Sequence, residues 1–262
     1  MPRVLAKSDT LNELNKNFTQ TPLTRGVFLN SVPKCGTHLV RNIFRMFVPV
    51  EQQYHDTFIQ IPVLNKHLKA FDPSVPRLSW GHLLFSDASV IALHETQHIL
   101  VVRDPYDWVL ARARFFLSDN FQGSMEPLKG GRVSVEEVLN MMIFGIYQKA
   151  PSLLEIFTHN AACWMGTNVK IVKMEEVLFH LKNIDNPAAE EYFADLLRVP
   201  GRQRLPEDWK DRVTIGSDKK QSGTFRDNLS GLSIEIPKEL PPKQKELVDY
   251  AAPGLRKLLG YE

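Results

Sequence analysis

The sequence predicts an α/β protein of three layers, a central parallel β-sheet flanked by helices, and three observations carry that prediction. Two stretches read strand, turn, helix in that order. A third apolar run follows a helical stretch, and 43% of the 262 residues are hydrophobic, enough for a sizeable core. Strands separated by helices rather than by tight turns pair in parallel, and ligands of such sheets sit beyond the carboxyl ends of the strands.

The first unit is entered from Gly26. Val27–Asn30 is a short apolar run, Ser31 to Thr37 break it with turn formers, and Leu39, Val40, Ile43, Phe44 and Phe47 then recur at helical spacing up to Pro49. Leu78 to Leu83 reads as a strand end. The second unit is His98–Val102, the tripeptide Arg103-Asp104-Pro105 and a helix through Val109–Leu117. Pro105 suits a first helical turn, where no backbone donor is needed. Ser134 and Glu137 form a capping box for a helix through about Lys149, and Pro151 starts another over Ser152 to Met165. Val169–Lys173 is the third strand. Pro187–Arg198 reads as a helix, and Pro241–Leu259 as an amphipathic helix kinked at Pro253 and closed by Gly260. Asp119–Arg132 and Gly216–Pro237 read as irregular. No repeat, low-complexity tract or linker divides the chain, so a single domain over residues 1–262 is expected.

Lys and Arg number 32 against 30 Asp and Glu, a net charge of +2, so no global basic field calls for nucleic acid or an anionic membrane surface. Cys35 and Cys163 are too few for a disulfide framework or a zinc ribbon and fit a reducing compartment. Met1 to Arg25 contains no apolar signal core, and the longest apolar stretch, Met141–Tyr147, falls far short of the roughly 20 residues of a membrane span. A soluble, cytoplasmic protein without a membrane span is expected. HExxH, CxxC and spaced His/carboxylate sets are absent from the sequence, so no metal is expected either. Nothing in the sequence fixes an oligomeric state.

A loop between a buried strand and a helix N-terminus is an anion site, because free N–H groups point outward and the helix dipole adds positive potential. Here Lys34 adds a full charge, Gly36 permits close backbone approach and Thr37 offers a hydroxyl. A Walker A loop puts Gly-Lys-Ser/Thr at the helix start, whereas here the lysine precedes the glycine, which argues against an ordinary ATP or GTP loop.

Pro33-Lys34-Cys35-Gly36-Thr37 resembles the first motif, Pro-Lys-x-Gly-Thr, of sulfotransferases that use 3′-phosphoadenosine-5′-phosphosulfate (PAPS) and release PAP. Arg103-Asp104-Pro105-Tyr106-Asp107 resembles their second, which opens on Arg-Asp/Asn-Pro at another strand end. The resemblance implies the P-loop NTPase-like sulfotransferase fold, PAPS as co-substrate and no metal. It implies that Lys34 meets the bridging oxygen, that the Cys35, Gly36, Thr37 and His38 turn cradles the 5′-phosphate, and that Arg103 holds the 3′-phosphate. A guanidinium fork suits phosphate through two parallel charge-assisted bonds. The serine usual eight residues after the Arg is Ala111 here, so either Arg112 or Arg114 compensates or the 3′-phosphate is held more weakly. VKIVKMEEV (169–177) resembles the family's strand with Tyr-Glu-Asp-Leu, with Met174 in place of the Tyr. Asp218–Asn228 resembles its late basic-glycine motif, so Lys219 or Lys220 is expected at the 3′-phosphate. Thr224 and Phe225 stand for the usual Asp and Trp there. Leu39 replaces a Trp common in cytosolic members, leaving Phe225 as an aromatic face for adenine.

Sulfuryl transfer needs in-line geometry, a neutralised leaving group and removal of the acceptor proton. Histidine suits the last task. His82, 21 residues before Arg103 in a Gly-His-Leu context, stands where the family carries its base, and Trp80 replaces a family lysine. His82 and Lys34 are therefore the expected catalytic residues, while His38 suits phosphate and the other six histidines look ordinary. The expected acceptor is a small molecule or glycan carrying a hydroxyl or amine, met by Gln52–Pro76 and Asp119–Arg132. Phe58, Ile59, Phe71, Trp80, Phe115, Phe116 and Phe121 belong either to an apolar acceptor pocket or to the core, and Arg77, Lys129 and Arg132 suit an acidic acceptor. Two other readings compete: a P-loop kinase of small molecules, and a relative that binds nucleotide but has lost turnover.

Overall fold

Four strands build the central sheet: β1 (Val27–Ser31), β2 (Leu78–Gly81), β3 (Gln97–Val102) and β4 (Val169–Lys173). All pair in parallel, in the order β2-β1-β3-β4. The structure is a computed structural model and describes residues 3–4, 8–118, 121–122, 126–223 and 235–261. Every residue of β1 is buried, and so is all of β3 after Gln97. Near-continuous apolar runs are what strands covered on both faces require. The edge strand β4 is only half-buried apart from Val172. The opposite edge, at β2, is extended by chain 53–59, which bridges to Leu78 and Gly81.

Helices flank the sheet. α1 (Thr37–Arg45) follows β1, and α2 (Pro105–Leu117) follows β3 with Asp104 as its cap, accepting from the Tyr106 N–H. α3 (Val135–Phe144) and α4 (Leu153–Asn160) each open on a complete capping box, at Ser134/Glu137 and Ser152/Glu155. α5 (Met174–Lys182) leaves β4 directly, followed by α6 (Pro187–Leu196), α7 (Trp209–Ser217) and α8 (Pro242–Ala251). α7 lies on α1, and its buried Arg212 ties Asp208, Thr19 and Met46 together.

Several expected boundaries move. The helix read to Lys149 stops at Phe144, where Gly145 takes φ 84° and turns the chain. The helix read to Met165 stops at Asn160 and gives way to a 3₁₀ turn, Ala162–Trp164. The C-terminal helix divides around Pro253 into α8 and Leu255–Leu258. Phe121–Gln122, inside a stretch read as irregular, pairs antiparallel with Arg3–Val4, and Glu126–Lys129 is a short helix. No helix among the described residues is long and apolar enough to cross a membrane.

Candidate functional site

Because β1 lies between β2 and β3 in register, with Asn30 opposite both Gly81 and Leu100, the turns that follow these three strands converge. They carry Lys34, His82 and Arg103.

The β1–α1 turn is shaped by two left-handed residues, Lys34 (φ 70°) and Gly36 (φ 87°). Glycine suits position 36 because of its left-handed φ, and a Cβ there would also force the Met174 side chain to move. Trp108 Nε1 donates to the Pro33 carbonyl at 2.6 Å and fixes the turn from behind. The backbone N–H groups of Thr37, His38 and Leu39, the orphan donors of the first turn of α1, meet no acceptor among the described residues. Cys35 is fully buried, and burial pushes its thiol up, away from thiolate chemistry. Lys34 holds its Nζ 3.1 Å from the centroid of the Phe115 ring, and burial brings its pKa down to about 7. Burial, with Arg41 and Lys34 nearby, takes His38 down to about 4.

His82 is placed by its neighbours on both sides. Gly81 passes so close to the Ile59 carbonyl that a Cβ would collide with it, and the His82 N–H donates to that carbonyl at 3.1 Å. On the ring, Nδ1 lies 2.8 Å from the Ser31 carbonyl oxygen and 3.1 Å from Ser31 Oγ, which lies 2.5 Å from Thr37 Oγ1. A carbonyl only accepts, so Nδ1 carries the proton and Nε2 keeps the lone pair. Phe58 packs edge-on against the ring at 4.7 Å, and burial lowers the pKa to about 3, so the ring is neutral.

Arg103 Nη1 donates to the Lys34 carbonyl at 3.2 Å, tying the two strand-end turns together, and its Nε lies 4.0 Å from Glu175 Oε1. Glu175 also accepts from the Asp104 N–H at 3.1 Å and from Tyr261 Oη at 2.7 Å, while Arg256 holds Asp104 with two bonds of 3.0 and 2.8 Å.

Lys219 and Lys220 are exposed on a 3₁₀ turn that hangs on α1 through the Asn42 side chain, which donates to the Gln221 carbonyl at 2.9 Å. Arg112 takes up a different task from the one expected. Its buried guanidinium donates to the carbonyls of Met142 and Pro151 at 2.8 and 2.6 Å, anchoring α2 to the ends of α3 and α4. Two of its five N–H donors are committed to carbonyls, and the residue also lines the cleft beside Lys34 and His82. Arg114 likewise donates to the Pro237 carbonyl at 2.7 Å. Thr224 and Phe225 lie outside the described residues.

A cleft of about 530 Å³ opens beside Lys34 and His82. Gln60, Ile61 and Pro62 line it, as expected of segment 52–76, together with Phe115 and Phe116 of α2. Ile59, Phe71 and Trp80 belong to the core, and neither Arg77, Lys129 nor Arg132 reaches the cleft. Pro33, Leu84, Trp108 and Arg112 also line it, and the far wall is Pro151 and α4, through Glu155, Ile156, His159 and Asn160. Sequence reasoning passed over this wall because α4 carries no motif, only a spacing that puts those four residues on one side of the helix. Glu175, Tyr261 and Arg256 were missed for a similar reason, since only the fold brings them to Arg103. Among the described residues no group of three or more His, Cys, Asp or Glu is placed to hold a metal ion.

No family model matches the chain, and no curated protein matches it by sequence. Solved structures do match. Mouse sulfotransferase SULT7A1 complexed with PAP aligns over 98% of this chain and 94% of that one, with 13% identity and a TM-score of 0.55. Retinol dehydratase, in complex with androsterone and the inactive cofactor PAP, aligns over 91% of this chain and 79% of that one, with 15% identity and a TM-score of 0.45. The likeness to SULT7A1 is one of fold: the chain has the sulfotransferase fold, a parallel sheet flanked by helices.

Proposed function

We propose that the protein is a PAPS-dependent sulfotransferase, moving the sulfuryl group of PAPS to a hydroxyl or amine of a small-molecule or glycan acceptor by in-line displacement. The observation that carries the proposal is the placement of His82, whose Nδ1 lies 2.8 Å from the Ser31 carbonyl oxygen. Its Nδ1 proton is committed to the Ser31 carbonyl, so the ring faces the cleft as a proton acceptor beside the one cationic loop lysine that lines it.

The residues present fit the nucleotide. Three N–H groups at the start of α1, without a partner among the described residues, and the Thr37 hydroxyl suit the 5′-phosphate, and the guanidinium of Arg103 suits the 3′-phosphate. When bound, PAPS supplies an activated sulfuryl group on a phosphate leaving group. In this reading Lys34 neutralises charge on the oxygen that departs, a role that draws its ammonium from the Phe115 ring toward the loop. His82 Nε2 takes the acceptor proton, and the Ser31 carbonyl steadies the imidazolium that results. Phe115, Phe116, Ile61 and Pro62 hold the acceptor's apolar body and exclude water. The PAP complex of SULT7A1, a protein of the same fold, supports the choice of nucleotide.

The test is calorimetry with PAP and ATP, followed by transfer from labelled PAPS to an acceptor panel. PAP should bind without magnesium and ATP poorly. His82→Ala should keep PAP affinity within about threefold and lose about 10²-fold or more in kcat, the range of general-base contributions. A His82→Ala protein that retains most of its kcat rejects the assignment, and a chain that takes up no PAP rejects the function.

A further inference from the structure

We infer that Ser31 is a positioning residue whose hydroxyl couples the phosphate loop to His82, so that an anion held at the start of α1 makes the ring a stronger base. The inference rests on the proposed role of His82 and deepens it.

The sheet register brings the three residues together. Asn30 pairs with Gly81, so Ser31 and His82, each one step further on, leave their strands side by side. The Asn30 side chain fixes that register, donating to the Leu83 carbonyl at 3.0 Å and accepting from the Leu83 N–H at 2.9 Å. Ser31 is fully buried, and among the described residues its Oγ has two partners, Thr37 Oγ1 at 2.5 Å and His82 Nδ1 at 3.1 Å.

The direction of this chain follows from its inner end. The Ser31 carbonyl, 2.8 Å from Nδ1, only accepts, so Nδ1 carries a proton and shares it with Ser31 Oγ as a second acceptor. The Ser31 proton cannot point at that N–H, and its other neighbour is Thr37 Oγ1, to which it donates. The Thr37 proton is then left for an acceptor outside the chain, and Thr37 opens α1, where an anion belongs. An anion accepting from Thr37 makes Oγ1 a better acceptor for Ser31, and Ser31 Oγ a better acceptor for the Nδ1 proton, because hydrogen bonds in series polarise one another. That favours the imidazolium. Burial opposes protonation of His82, Lys34 and His38 oppose it further, and the Ser31 carbonyl favours it; Phe58 packs edge-on against the ring. No carboxylate contributes, so the hydroxyl chain is the route by which a bound phosphate can help through bonds.

The Nδ1 proton is the reporter. Its downfield NMR resonance, assigned by its loss in His82→Ala, is followed through a titration with PAP to saturation. In the wild-type protein it should move further downfield. Ser31→Ala keeps the backbone carbonyl and the loop, so PAP should still bind, but the movement should fall to less than half. Its kcat with PAPS should drop about three- to tenfold, the worth of one hydrogen bond, while KM for PAPS changes less. Thr37→Val cuts the same chain one link further out and should lose the movement at saturating PAP, which keeps the test open should Ser31→Ala fail to fold. Thr37→Ser, with its hydroxyl, should retain it. A wild-type resonance indifferent to bound PAP would overturn the coupling and leave the transfer reaction standing. A movement as large in Ser31→Ala would overturn it too, since the phosphate charge would then act through space. If the chain takes up no PAP, the titration is run with inorganic phosphate. A movement there that depends on Ser31 upholds the coupling and sinks the transfer reaction, and no movement overturns both.

Discussion

Lys34 occupies a position where its charge is costly. Its Nζ sits 3.1 Å over the Phe115 ring, attracted to the π-face but stripped of water, and burial leaves its pKa at about 7. The free protein near neutral pH is therefore a mixture of ammonium and amine. A phosphate beside the lysine raises that pKa, so binding must draw in a proton wherever the free lysine is neutral, above about pH 7, and draws in none where it is already charged. Calorimetry of PAP at about pH 8, in buffers of different ionisation enthalpy, should show wild-type protein taking up close to one proton more than Lys34→Met. The difference should fade by about pH 5.5. His82 shifts in the same direction for the same reason, burial, but further, to about 3. An ordinary histidine would impose an acid limb on kcat/KM near its usual 6.5. Here the rate per free enzyme should hold down to about pH 5, and a limb centred near 6.5 would mean that another group is the base.

At the scale of elements, the site depends on how tightly chain 53–59 lies along β2. Gly81 has no room for a Cβ against the Ile59 carbonyl, and the next residue is His82. Gly81→Ala must push the two backbones apart. The expected cost is about 1–3 kcal/mol of stability in denaturant titration, with a loss of transfer activity larger than the loss of PAP affinity, since the loop after β1 is untouched. This placement also explains what could be read from the sequence. The strand–turn–helix units around Lys34 and Arg103 are local patterns: a buried apolar run, turn formers, then helical spacing. They were legible to within a residue or two. So was the cap at Ser134, because a capping box needs only residues three apart. α7 was not legible, since Arg212 belongs to its buried face and becomes intelligible only once Asp208, Thr19 and Met46 surround it. The packing of Arg112 was hidden for the opposite reason. An arginine one position from a missing serine is plausible on paper, but a helix turns adjacent residues to different sides, and position 112 points at the ends of α3 and α4.

At the scale of the whole molecule, the last described turn of the chain is bound to the carboxyl end of the sheet, beside Arg103. Arg256 clamps Asp104, Lys173 Nζ donates to the Gly260 carbonyl at 2.8 Å, and Tyr261 Oη donates to Glu175. Glu175 is the pivot. One carboxylate oxygen is taken by Tyr261, and the other accepts from the Asp104 N–H while standing 4.0 Å from Arg103 Nε. A carboxylate beside Arg103 competes with any phosphate for the same guanidinium, and the tyrosine hydroxyl weakens that competition by drawing on the carboxylate's charge. Tyr261→Phe should leave Glu175 a stronger partner for Arg103 and weaken PAP binding by about 0.5–1.5 kcal/mol, roughly two- to tenfold. Glu175→Gln removes the competitor, so adding Tyr261→Phe on that background should change PAP affinity little. Calorimetry on the four proteins of this cycle reads the coupling directly. Additive effects would mean that the tail stabilises the fold without acting on Arg103. A non-additive cycle would show that the nucleotide site, read as two strand-end turns, is tuned by residues some 150 positions away in sequence, the separation of Asp104 and Arg256 being 152.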